Sequence, residues 1–407
     1  MIIQARTVVT MDGPILENGA VAVEGNRIVA VGLAPDLAWI SPGPLIDLGD
    51  QVLMPGLINA HCHLDYSMMR GVILPPKSFT TWVQRINSLK RTLDSKDYLH
   101  AITRGFSELK KWGVTAVCNI EAFPELMTQL GPSPIRTWWF YEMIDIRHRI
   151  TTDDVVAGAL SFFQHRANTL DSFGLNPHAP YTASLDLYHL ANACAEAFTM
   201  PLTTHLAESP EEFDMFRDAT GPLYEFMDSL MRPMEDCGSA TPFTHLWECG
   251  AIDARWLLVH MNELAEEDFS LLAGLPRTGL PHIVHCPGSH RYFGYKPFAF
   301  RRLQELGMNI SVGTDSLAST DSLSLLEELR ILRAAQPWMS YESLLRTVTV
   351  NPARALRRRD QLGKITPGAL ADLIAMPTSG SLSEVHEEIV HYDQPIPWMM
   401  IDGQIVS

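Results

Sequence analysis

The chain has 407 residues, 31 Lys and Arg against 47 Asp and Glu, a formal net charge of −16 and 46% hydrophobic residues. This is the composition of a soluble globular protein, and its length suits one (β/α) barrel of roughly 250 residues with appended segments. The acidic balance and the lack of any basic stripe argue against nucleic acid or anionic membrane as the main partner, because both need clustered Lys and Arg to neutralise phosphate. The first residues, MIIQARTVVTMDG, meet a charge at Arg6 and have no long apolar core, so they read as a strand and not a signal peptide. No apolar run approaches the ~20 residues that span a bilayer, and a cytoplasmic protein is expected. The six cysteines (Cys62, Cys118, Cys194, Cys237, Cys249, Cys286) are scattered without a C-x-x-C pair. Reduced thiols are expected, with Cys62 and Cys286 as small buried residues although each follows a histidine of interest.

From Met1 to about Ile46 short alternating runs predict a small antiparallel sheet: Ile2–Val9, Ala20–Val23 and Ile28–Val31, with turns at Asp12-Gly13 and Gly25-Asn26. The middle alternates short apolar runs with longer amphipathic ones, the pattern of a parallel sheet with crossover helices. Eight strands are predicted, at Val52–His61, Val114–Ile120, Ile135–Met143, Phe173–Pro177, Pro201–His205, Trp256–His260, His282–His285 and Asn309–Gly313. Helices are predicted at Lys96–Trp112, Thr152–Asn168, Ser184–Phe198, Ser322–Ala335 and Tyr341–Arg357. Eight such units fit a closed (β/α)8 barrel better than an open doubly wound sheet, which has about five to seven strands. The segment Pro210–Gly250 interrupts the pattern after the fifth strand and should be partly helical and near the active site. Strand-like runs return from Lys364, ending in WMMIDGQIV with Asp402-Gly403 as a hairpin turn. The expected fold is thus an α/β chain: a barrel over residues 55–363 and a composite β-sandwich domain from residues 1–54 and 364–407.

In a parallel barrel the reacting groups stand at the C-terminal strand ends. Strand one ends in His61-Cys62-His63, strand four runs into His178, strand five ends in His205 with Glu208 three residues on, and strands six to eight end in His260, His285 and Asp315. With His290, seven of the fifteen histidines fall at these mouths, a series that packing alone does not explain. His61 and His63 are two apart, so an extended strand projects both to one side, within reach of one ion at ~2.0–2.1 Å. A third imidazole and a carboxylate complete an N/O site suited to zinc, with iron or nickel compatible by ligand type. The ligands are assigned to His61, His63, His205 and Asp315, leaving one position for water.

PGLINAHCHLDYSMMRG, PHAPYTAS, HLAES, VHMNEL, HCPGSH and VGTDSLAS resemble the successive strand-end motifs of the amidohydrolase superfamily, in its metal-dependent aminohydrolase branch. That branch includes adenosylhomocysteine and methylthioadenosine deaminases, guanine deaminase, triazine chlorohydrolases and aminodeoxyfutalosine deaminase. The resemblance covers nearly the whole chain, with the NPARAL and GKITPGALADL segments after the barrel. It implies one divalent metal on the matching His61, His63, His205 and Asp315, Glu208 as proton shuttle, and His260 bonded to the attacking water. Two-metal members bridge their ions with a carboxylated lysine on strand four, and this chain has no lysine between Lys111 and Lys296. Catalytic roles therefore fall to Glu208, His260 and Asp315. His285 is left open between orienting a loop and touching substrate.

On the substrate side, His178 matches a substrate-facing position of the family, and Phe79 and Trp82 in SFTTWV could wall a planar ring. His290 stands where the deaminases usually have Asn, and WVQRINSLKRTL lacks their ribose-binding glutamate. HCPGSHRYFG is similar to the aminodeoxyfutalosine deaminase type, so His290 and Arg291 are expected to meet a carboxylated aromatic tail, with Arg147 and Arg149 as other carboxylate readers. The expected activity is hydrolytic deamination of an aminated purine-type ring. The alternatives are hydrolytic dechlorination of a nitrogen heterocycle and, third, a non-catalytic scaffold. The expected partner is a small molecule, with self-association left open.

Overall fold

The structure, a computed structural model, describes residues 1–40, 43–146, 151–164, 170–379 and 381–406. Eight strands lie side by side in chain order: β1 (Leu57–Cys62), β2 (Val114–Glu121), β3 (Arg136–Met143), β4 (Asp171–Pro177), β5 (Leu202–Leu206), β6 (Trp256–His260), β7 (His282–His285) and β8 (Asn309–Val312). Pairing is parallel from β3 through β8. Both faces are covered, so strands such as β2, VTAVCNIE, are buried at every residue. The barrel closes just past β8: Cys62 bridges Asp315 in parallel, and the amides of Thr314 and Asp315 both donate to the His61 carbonyl at 3.1 Å.

The sandwich is built from both ends of the chain. One sheet runs Arg27–Leu33, Gly19–Glu24, Ile2–Gln4, Leu45–Asp47, and the other runs Gln404–Ile405, Trp398–Ile401, Leu373–Pro377, Gln51–Pro55, Thr7–Val8, Leu16–Glu17. Ile3, Val21 and Ile28 of the first pack with Val8, Leu53, Leu373 and Met400 of the second in one core. The hairpin at Asp402-Gly403 forms as expected.

Two expected strands are each divided. Ile2–Val9 changes sheets at Ala5-Arg6, which lets Ile3 and Val8 both face the shared core. Val52–His61 breaks at Pro55-Gly56: Pro55 has no N–H for a ladder, and a Cβ on Gly56 would lie 2.1 Å from Thr115 Oγ1. The expected helix Tyr341–Arg357 is two, Tyr341–Arg346 and Val350–Ala355, because Pro352 fits a first turn but not a helix interior. Ser322–Ala335 starts at Leu325, where the Ser324 hydroxyl accepts the Glu327 amide as an N-cap. Thr152–Asn168 is helical over Thr152–Gln164, and residues 165–168 lie outside the described residues.

By contacts the chain divides into two compact units, Met1–Ala60 with Phe106–Val117 and Leu323–Ser407, and His61–Gly105 with Cys118–Ser322. The second holds the C-terminal strand ends from His61 to Asp315 and three helices that matter below: α1 (Phe79–Lys90), α2 (Pro210–Asp218) and α3 (Gly221–Ser229). The last two, with Pro242–Glu248, make the interruption after β5 partly helical.

Closure is intolerant of side-chain volume at one residue. A Cβ on Gly313 would sit 2.7 Å from the His61 carbonyl oxygen and 2.8 Å from its amide nitrogen. Gly313→Ala should therefore cost about 1–3 kcal/mol in urea unfolding, and an unchanged midpoint would show that the contact relaxes freely.

Candidate active site

β1, β5 and β6 deliver His61, His63, His205 and His260 to one mouth, and the turn after β8 adds Asp315. Four non-glycine residues here take left-handed backbone: Ala207 (φ +51°), His260 (+76°), Met261 (+52°) and Asp315 (+58°). Each costs roughly 1–3 kcal/mol, a strain typical of residues held for function.

His63 Nε2 and His205 Nε2 are 3.3 Å apart, and Asp315 Oδ1 lies 3.6 Å from His61 Nε2 and 3.7 Å from His63 Nε2. Ligands ~2.0–2.1 Å from a tetrahedral ion are about 3.3–3.4 Å from one another, so this spacing fits a zinc-sized cation. His205 and Asp315 are also aimed. His205 Nδ1 faces the His178 carbonyl at 2.9 Å, which assigns it the proton and leaves Nε2 with a lone pair. Ser319 Oγ donates to Asp315 Oδ2 at 2.9 Å, leaving Oδ1 toward the histidines. Two trios are each close enough to share an ion, His61 with His63 and Asp315, and His61 with His205 and His260, so His61 joins the two and His260 stands beside His205.

Burial dominates the electrostatics. It pushes His63 and His205 well below the ordinary imidazole range and His260 down to about 3, so the rings are neutral and basic toward a cation. Burial opposes ionisation of Asp315, but a hydrogen bond from His61 and the neighbouring imidazoles hold it well below the usual carboxylate range. Glu208 shifts the other way: burial, then Asp315 and Glu212, push it well above that range. Its Oε1 is 3.6 Å from His260 Nε2. Two carboxyl groups in one mouth are thus driven apart, one toward the anion and one toward the acid, an arrangement suited to an acid–base pair.

These groups end a cavity of about 340 Å³, which His63, His178, His205, Glu208, His260 and Asp315 line at its polar end. Phe79, Trp82, Val83, Ile86, Asn87 and Lys90 form one face of α1 along its wall, and Phe226, Met227 and Leu230 come from α3 and its end. Glu211 of α2 fixes that wall, its carboxylate accepting the amides of Phe79 and Thr80 at 3.0 and 2.8 Å. Lys90 Nζ donates to Tyr66 Oη at 2.7 Å. Burial pushes the neighbouring Asp65 up to about 8, with Lys90 pulling it back.

Of the expected substrate residues, His178 and Trp82 line the cavity with Phe79. His290 and Arg291 do not: Arg291 is exposed, and His290 faces the Lys296 carbonyl at 2.8 Å. Their neighbour Phe293 instead packs edge-on against Phe79 and Trp82, supporting the wall from behind. His285 is buried, stacked 4.0 Å from Phe298, and is not among the lining residues. Cys62 and Cys286 are buried and form no disulfide among the described residues. Arg147 and Arg149 lie outside the described residues. The expectations passed over Tyr66, Lys90, Glu142, Ile144 and the α3 residues, although the spacing of Phe79, Trp82, Val83, Ile86, Asn87 and Lys90 carries a helical period.

The model of the amidohydrolase family matches residues 52–406. The 5-methylthioadenosine/S-adenosylhomocysteine deaminase of Pyrococcus furiosus is 29% identical over 344 residues, covering 81% of this chain and 75% of that one. The aminodeoxyfutalosine deaminase of Deinococcus radiodurans is 28% identical, covering 84% and 82%. An adenosine deaminase from Xanthomonas campestris, solved with bound zinc, superposes with a TM-score of 0.83 at 26% identity, covering 99% and 92%. The chain belongs to the amidohydrolase family and is a hydrolase acting on carbon–nitrogen bonds. No helix among the described residues is long and apolar enough to cross a membrane.

Proposed function

We propose that this enzyme deaminates an adenine-type nucleoside and holds a single zinc ion on His61, His63, His205 and Asp315. The observation that carries the reading is the 3.3 Å approach of the His63 and His205 imidazoles beside the ionised Asp315, with the proton-holding Glu208 in the same mouth. A divalent ion there would supply Lewis-acid activation of water, lowering its pKa to about 7. His260 and Asp315 orient that water against the face of the ring. Glu208 gives its proton to the ring nitrogen and takes one from the water as the amino-bearing carbon becomes tetrahedral. It then returns the remaining proton to the amine, so that a C–O bond forms, the C–N bond breaks and ammonia leaves with its charge neutralised. His178, held by Thr182 Oγ1 at 2.6 Å, flanks the ring.

The lining includes the apolar Ile144, Ile146, Phe226, Met227 and Leu230, and its one cation among the described residues, Lys90, is already engaged with Tyr66 and close enough to Asp65 to lower its pKa. This lining favours an uncharged ring substituent, as in methylthioadenosine, because a buried carboxylate would lack a partner among the described residues.

Purified enzyme should carry about one zinc per chain; His63→Ala should lose it, whereas Glu208→Gln should keep it and lose on the order of 10²-fold in ammonia release. Near-normal turnover in Glu208→Gln, or activity surviving exhaustive chelation, would contradict the mechanism.

Methylthioadenosine should exceed aminodeoxyfutalosine in kcat/KM by about tenfold or more, since tenfold is only ~1.4 kcal/mol and an unpaired buried charge costs more. Leu230→Arg should narrow that gap. Equal rates on the two, or a preference for the carboxylated substrate, would overturn the assignment of the tail.

A further inference from the structure

Resting on the proton-transfer role proposed for Glu208, we infer that Glu212 is the positioning residue that aims Glu208, by clamping the backbone of the turn that carries it. Glu212 is fully buried, and its two carboxylate oxygens accept consecutive backbone amides, Ala207 N–H at 2.9 Å and Glu208 N–H at 2.8 Å. No Lys or Arg pairs with it among the described residues. A buried carboxylate without a counter-cation is costly to keep.

Its place in the helix sharpens the point. Ser209 is the N-cap of α2 and its hydroxyl accepts the Glu212 amide, which puts Glu212 at the third helical position. An ordinary capping-box glutamate turns back to the amide of the cap residue. Glu212 reaches further upstream, to the two residues before the cap. One of these is Ala207, whose left-handed backbone swings the chain out of β5 and turns Glu208 into the cavity. The other side of the turn is held from the β6 end: Asn262 Nδ2 donates to the Glu208 carbonyl at 2.9 Å, and the amides of Asn262 and Glu263 donate to the Ala207 carbonyl. The Glu208 peptide is thus gripped at its N–H by Glu212 and at its C=O by Asn262, leaving only the side chain to move. A glutamine in place of Glu212 would keep one acceptor and turn an NH2 group on the other amide, so half of the clamp would become a donor facing a donor.

The test is a double-mutant cycle on the zinc-loaded full chain, reading ammonia release and metal content. Glu212→Gln should lower kcat by about tenfold or more, with KM within about threefold and zinc retained. Placed in the Glu208→Gln background, it should cause no further loss beyond about twofold, because nothing remains to be aimed. Asn262→Ala, which frees the carbonyl side of the same turn, should likewise lower kcat in the wild-type background and add no loss in the Glu208→Gln background, and it decides the question should Glu212→Gln fail to fold. Wild-type kcat in Glu212→Gln, loss of zinc, or a penalty that multiplies with that of Glu208→Gln would overturn the inference while leaving the mechanism standing. Near-normal turnover in Glu208→Gln alone would instead overturn the mechanism, and with it the clamp.

Discussion

The site depends on the seam where the barrel closes. Two amides, Thr314 and Asp315, converge on the His61 carbonyl, and Gly313 lies so close to His61 that no side chain fits between them. That seam sets a residue from the end of the chain's eighth barrel strand against two from its first. It forces Asp315 into left-handed backbone and holds its Oδ1 within 3.7 Å of both His61 and His63. The third imidazole, His205, is brought to His63 by its own strand and aimed by the His178 carbonyl. Long-range strand pairing thus gathers these four side chains, and hydrogen bonds to the far atoms of His205 and Asp315 orient those two.

The same burial that makes the rings good cation ligands separates the two carboxyl groups chemically. Asp315 is surrounded by imidazoles and is held as an anion, while Glu208 has a second carboxylate close by and is held toward its acid form. A hydrolase that must both steady a nucleophilic water and hand a proton to a leaving amine needs such a division. The cavity lined by these groups takes much of its apolar wall from α1 and α3. Glu211 and Glu212 stand side by side at the start of α2, one fixing the start of α1 and the other the turn bearing Glu208. A single helical turn therefore ties the wall to the chemistry.

Much of the histidine-rich mouth was legible in the residues themselves. His61 and His63 two apart at a strand end, His205 with Glu208 three residues on, and His260 and Asp315 at later strand ends signal chemistry because such residues are costly at buried strand ends without a task. The division of two strands was signalled in part: Pro55-Gly56 is a local stop, whereas the sheet switch at Ala5-Arg6 follows only from the shared core. The substrate end was much less legible. Arg291 follows a strand-end motif yet points to solvent, while Lys90 and Leu230 sit in ordinary amphipathic helices. Which face of such a helix turns toward a cavity is decided by packing between distant segments, such as the Glu211 carboxylate capping amides some 130 positions earlier, and no local pattern records it.

The donor set is open to direct measurement, because Cys62 and Cys286 adjoin ligand and strand-end histidines and would offer sulfur if the strands were rotated. X-ray absorption at the zinc edge of the purified enzyme separates the cases. The account predicts a first shell of nitrogen and oxygen at ~2.0–2.1 Å with outer-shell scattering from three imidazoles, whereas a sulfur neighbour at ~2.3 Å would contradict it.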